Sequence, residues 1–105
     1  MLEEITKQLW EAAQSRSVCR ISLSKEPFPR LVHPYGICTT SMNKIMLVCK
    51  QTTGFTKAGR EAGYRNLKLE RIVDVEITEE NFQVSDDFNP QDSQYKDWVF
   101  HVLQE

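Results

Sequence analysis

Leu2, Ile5, Leu9, Ala12 and Ala13 recur at the three- and four-residue spacing that gathers apolar side chains on one side of a helix. Glu3 and Glu4 stand where the positive end of a helix dipole favours acids. The spacing predicts a helix over 2–15. Beyond Ser15 the period changes to two, and Cys19, Ile21 and Leu23 share one face of a strand over 18–23. The breaker Lys25-Glu26-Pro27-Phe28-Pro29 follows. Arg30–His33 reads as a further strand, closed by Pro34-Tyr35-Gly36 and resumed at Ile37-Cys38-Thr39 up to the polar turn at 41–44. Ile45-Met46-Leu47-Val48-Cys49 is apolar throughout, the pattern of a central strand buried on both faces. Residues 51–63 hold three of the four glycines and little periodicity, which predicts a long loop. Clean alternation returns at Arg65–Leu69 and Val73–Ile77, strands with one wet face each. Asn89-Pro90 has the form of a helix start, and Tyr95, Trp98, Val99, Val102 and Leu103 follow at helical spacing. That predicts a second amphipathic helix over about 90–104. Trp10 and Trp98, both on these helices, are read as packing residues.

About five short strands between two helices predict a mainly β (α+β) fold, a small strongly bent sheet or barrel in which closure protects the strand edges. A chain of 105 residues buries one core, so residues 1–105 are expected to form a single domain. With 40% apolar and 27% charged residues the composition is that of a globular domain, and no apolar run reaches the ~20 residues of a membrane-spanning helix. The acidic start MLEEITKQLW lacks the basic flank of an export signal, which points to the cytoplasm. Cys19, Cys38 and Cys49 are odd in number and lack C-x-x-C spacing, so they are expected to be reduced packing residues. No metal and no cofactor are expected.

Charge is segregated. Residues 16–71 carry eleven Lys and Arg against Glu26, Glu61 and Glu70, a surplus of eight positive charges, whereas residues 72–105 set Lys96 against nine acids, a surplus of eight negative ones. A basic centre of this kind suits phosphate, nucleic acid or another anion. The competing reading is that the acidic C-terminal part folds back and neutralises it.

Four segments in order carry a family resemblance: Arg30-Leu31-Val32-His33-Pro34-Tyr35-Gly36-Ile37, Ile45-Met46-Leu47-Val48, Arg65-Asn66-Leu67-Lys68-Leu69-Glu70-Arg71-Ile72, and Ile77-Thr78-Glu79-Glu80-Asn81-Phe82. Together, over about residues 5–88, they resemble the WYL domain. The resemblance implies an SH3-like or Sm-like barrel with an N-terminal helix, the ligand-sensing or nucleic-acid-binding module of bacterial transcription regulators. Those proteins usually add a helix-turn-helix; the N-terminal 15 residues have room for one helix only, so a stand-alone module is expected. Where the family places Trp-Tyr-Leu this chain has Ile45-Met46-Leu47, and Tyr35, Phe55 and Tyr64 are the aromatic faces left for stacking.

By resemblance the basic ligand surface falls on Arg30, Arg65 and Arg71, with Lys68 beside them. Arginine suits the task because its planar fork binds phosphate or carboxylate oxygens in pairs. His33, Tyr35 and Tyr64 complete the ligand-binding candidates. The alternative for the arginines is a structural ion pair with Glu70, Asp74 or an acid of the C-terminal helix, and for His33 a structural role in its strand. No nucleophile with a base at a familiar spacing and no phosphate loop is present, so no enzyme is expected. The expectation is a regulatory domain binding a nucleotide-type or single-stranded nucleic-acid ligand. Its alternative is a protein-interaction or oligomerisation module, in which the basic strands of one subunit meet the acidic helix of another or a regulatory protein partner docks.

Overall fold

The computed structural model describes residues 2–40, 42–54 and 63–102. Helix α1, Leu2–Ser15, forms as its periodicity predicts and buries Leu9, Ala12 and Ala13 completely. It stops at Arg16, whose φ of 55° turns the chain out of the helix. The amide of Asn81 donates to the carbonyl oxygens of Ser15 and Arg16 at 3.1 and 3.2 Å, closing the helix end.

Six antiparallel strands follow: β1 Ser17–Leu23, β2 Arg30–Thr40, β3 Ile45–Gly54, β4 Gly63–Lys68, β5 Ile72–Asn81 and β6 Tyr95–His101. They form one sheet in the order β4-β3-β2-β1-β5, with β6 also paired to β2. No ladder joins β4 to β5 among the described residues, so the expected barrel is here an open sheet. The molecule is nevertheless nearly isotropic, 33 × 31 × 30 Å, because the sheet curls around its core.

Strand β2 is the pivot. Its first part, Arg30–Val32, pairs with β1, and its last part, Gly36–Thr40, pairs with β6, while β3 runs along its other edge. The two predicted strands on either side of Pro34-Tyr35-Gly36 are thus one strand with a register shift at that corner. Proline, which has no N–H to donate, is tolerated at such an irregularity. Gly36 is required there by close approach: a Cβ would lie 2.7 Å from the Trp98 ring and 2.9 Å from His101 Cα, and closer still to the Phe100 carbonyl oxygen.

The predicted C-terminal helix is absent. Residues 95–101 are strand β6, and Asn89-Pro90 opens turns instead, with the Gln91 N–H donating to Asn89 Oδ1 and the Gln94 N–H to Asp92 Oδ1. Leu103, the last apolar position of that pattern, lies outside the described residues. The predicted 51–63 loop is shorter than expected, since β3 continues to Gly54 and β4 begins at Gly63. What remains of it, 55–62 with Phe55, lies outside the described residues. Leu47-Val48-Cys49 is buried on both faces as the apolar run predicts, Leu47 and Cys49 in a cluster with α1 and Val48 in a second cluster with Tyr35, Phe82 and Phe88. Ile45, at the start of the run, is exposed. All three cysteines are buried and unbridged.

Candidate functional site: an arginine-lined cleft

Arg30 opens β2, Arg65 lies in β4 and Arg71 ends the 3₁₀ turn Leu69–Arg71, yet all three line one cleft of about 510 Å³ together with Tyr64. The other wall comes from the irregular segment after β5, with Asp87, Phe88, Asn89, Asp92 and Gln94, and from Tyr95 at the start of β6. The fold therefore joins the basic centre of the chain to part of its acidic end, within one molecule.

The three guanidiniums are held differently. Arg30 is locked: Nε and Nη2 donate to the two carboxylate oxygens of Glu26 at 3.0 and 2.7 Å, and Nη1 donates to Gln51 Oε1 at 3.1 Å. The side chains of Arg30 and Glu26 are only 8% and 6% exposed. Such a buried bidentate pair fixes geometry more than it adds net stability. Arg71 donates to the Ser24 carbonyl oxygen at 3.0 Å and lies 3.6 Å from the same Glu26 carboxylate, but its side chain is 42% exposed. Arg65 donates to the Tyr64 carbonyl oxygen at 2.9 Å and is partly exposed. Arg65 and Arg71 are therefore placed to reach a ligand, and Arg30 sets the floor beneath them.

Glu26 is the residue that sequence reasoning missed as a partner. The alternative reading of the arginines paired them with Glu70, Asp74 or an acid of the C-terminal helix; the signal for the pair found is the i, i+4 spacing of Glu26 and Arg30 across the breaker.

Hydrogen bonds tie the walls together. Tyr64 donates its hydroxyl to Asp87 Oδ1 at 2.6 Å, the Asn66 amide donates to Gln94 Oε1 at 3.2 Å, and Lys50 Nζ donates to Ser85 Oγ at 2.7 Å while sitting 5.4 Å from the centre of the Tyr64 ring. Burial, and next the bond to Asp87, raise the Tyr64 phenol above its ordinary pKa, so it stays a neutral donor at physiological pH. Burial and the nearby Asp92 raise Tyr95 in the same way.

No protein-family model, curated protein or solved structure matches the chain. The chemistry of the cleft is thus read from its own residues.

The other candidates lie elsewhere. Tyr35 is fully buried; its hydroxyl accepts the Ser85 N–H at 2.9 Å and its ring packs on Phe82, Phe88 and Tyr64, leaving no face for a base. His33 stacks on Phe82 at 4.7 Å, and its buried Nδ1 has no hydrogen-bond partner among the described residues. Burial, then the charge of Lys50, hold its pKa below the ordinary histidine value. Lys68 is exposed beside Lys44, Ile45 and Glu70, in a separate, smaller hollow. Burial pushes the thiols of Cys19 and Cys49 up to about 12 and that of Cys38 to about 11, so none supplies a thiolate nucleophile at neutral pH.

Proposed function

We propose that the chain is a WYL-like regulatory module that holds a nucleotide-type or single-stranded nucleic-acid ligand in this cleft, acting in the cytoplasm as an accessory to transcription control. The curled open sheet is then its counterpart of the SH3-like or Sm-like barrel. The observation that carries the reading is the meeting of Arg30, Arg65 and Arg71 from three separate elements on one concave surface beside Tyr64. Guanidiniums on a shared wall offer paired, charge-assisted bonds to phosphate oxygens, and a cleft of this volume is the size of a small-ligand site.

Fluorescence anisotropy of a labelled single-stranded RNA and of a labelled mononucleotide, titrated at low and at physiological salt, tests it. Binding should weaken with salt in proportion to the phosphates contacted, and Arg65→Ala or Arg71→Ala should each lower affinity about tenfold or more. Absence of binding to either probe at low salt would sink the reading.

A second reading has its own support. Trp10, Ile45 and Val99 are large apolar side chains left exposed around a separate hollow between α1, β3 and β6. Exposed apolar groups gathered in this way favour an oligomerisation module built from copies of the chain. Under that reading the same titrations show indifference to nucleic acid and a mass that rises with protein concentration.

A further inference from the structure

The acidic wall narrows the ligand. Asp87 and Asp92 line the same cleft as the arginines, and carboxylates there repel any further phosphates beyond the one the guanidiniums hold. A continuous polyanion is poorly matched to such a cleft; a molecule with one anionic end and one hydrogen-bond-donating end is well matched.

The two aspartates are not equivalent. Asp87 already accepts the 2.6 Å bond from Tyr64, which holds the wall in place. Asp92 accepts only a turn N–H, from Gln94, on Oδ1, and its Oδ2 has no partner among the described residues. A carboxylate reads two adjacent donors on one edge. Adenine and cytosine place a ring acceptor beside their amino group, and uracil sets one N–H between two carbonyls. Guanine alone among the common bases presents N1–H and N2–H₂ side by side. Tyr95, three residues on from Asp92, also lines the cleft, with its ring packed against Trp98.

We infer that the cleft takes a guanine mononucleotide, its phosphate on Arg65 and Arg71 and the donor edge of its base on the Asp92 carboxylate. This rests on the nucleotide reading of the arginine wall and adds the identity of the base.

The test is calorimetric titration of wild type, Asp92→Asn and Arg65→Ala with GMP, AMP and XMP at low salt. Wild type should prefer GMP over AMP by about tenfold, the discrimination of one good bidentate pair. Asp92 is exposed in a turn, so Asp92→Asn should fold normally, as circular dichroism would confirm. An asparagine amide donates to the carbonyl that xanthine carries in place of the guanine amino group, so this variant should lose GMP and gain XMP. Arg65→Ala should weaken every nucleotide alike. Equal binding of GMP and AMP by wild type, or an unchanged GMP to XMP ratio in Asp92→Asn, would overturn the guanine inference and leave the nucleotide reading standing. Failure of all three nucleotides to bind wild type would remove both.

Discussion

Glu26 shows how one side chain sets the character of the cleft. Without it, Arg30 would lose the carboxylate that its buried guanidinium holds in two bonds, a loss of about 3–5 kcal/mol, and Arg71 would lose the charge that draws it towards the same point. The pair was hard to see in the sequence because Lys25–Pro29 reads only as a break between strands, and the side-chain distance across a turn depends on backbone the pattern does not encode. His33 is the second residue where local chemistry governs behaviour. Stacked on Phe82 and close to Lys50, it is held neutral in the fold, with a pKa below the 6.5 of a free histidine. The unfolded chain therefore takes up a proton that the folded one resists. Its contribution to stability is complete above pH ~6.5 and is lost as pH falls below that value towards the depressed folded pKa. Urea midpoints at pH 7.5 and 5.5 should fall on acidification for wild type and fall less for His33→Gln. An equal drop in both would place the acid sensitivity in other groups.

At the scale of elements, β6 decides whether the cleft has a second wall, because Tyr95 belongs to it and Asn89–Gln94 lead into it. It seats on the stretch of β2 that β1 does not cover, and Gly36 is the point of closest approach. Gly36→Ala would drive a methyl group into the Phe100 and His101 backbone, which cannot rotate away. An overpacking cost of about 1–3 kcal/mol is expected, together with a shift in Trp98 emission in a Trp10→Phe background and weaker nucleotide binding. Unchanged stability and emission would mean that β6 does not sit there. This element was also the main misreading. Positions 95, 98, 99 and 102 fit a helix by spacing, but Tyr, Trp and Val are equally strand formers. The choice was made by a distant vacancy on the edge of β2, which no local window contains. Helix α1 and the apolar run at 47–49 were legible because their partners repeat at their own period. The convergence of Arg65 and Arg71 was legible only as a grouping by resemblance, and the acids opposite them only as a surplus of charge.

For the molecule as a whole, the question is whether two apolar clusters make one cooperative unit. Cys19 and Cys49 sit in the cluster under α1, and Cys38 sits in the aromatic cluster with Tyr35 and Phe88. The clusters are joined through β3, whose adjacent residues Val48 and Cys49 face opposite sides, and through β2, whose Ile37 and Cys38 do the same. Neither side can lose its packing without stripping backbone partners from the other, so the chain is expected to unfold in one step. The thiols report this directly, since each is buried and carries a pKa of about 11 or 12 that suppresses the reactive thiolate. Pulsed alkylation across a urea series, read by mass spectrometry, should label none of the three in the native protein and all three along one curve with a common midpoint. A lower midpoint for Cys38 than for Cys19 and Cys49 would show the aromatic cluster opening by itself. Because Phe88 and Tyr95 belong to that cluster and also line the cleft, such an opening would release the ligand wall before the sheet unfolds.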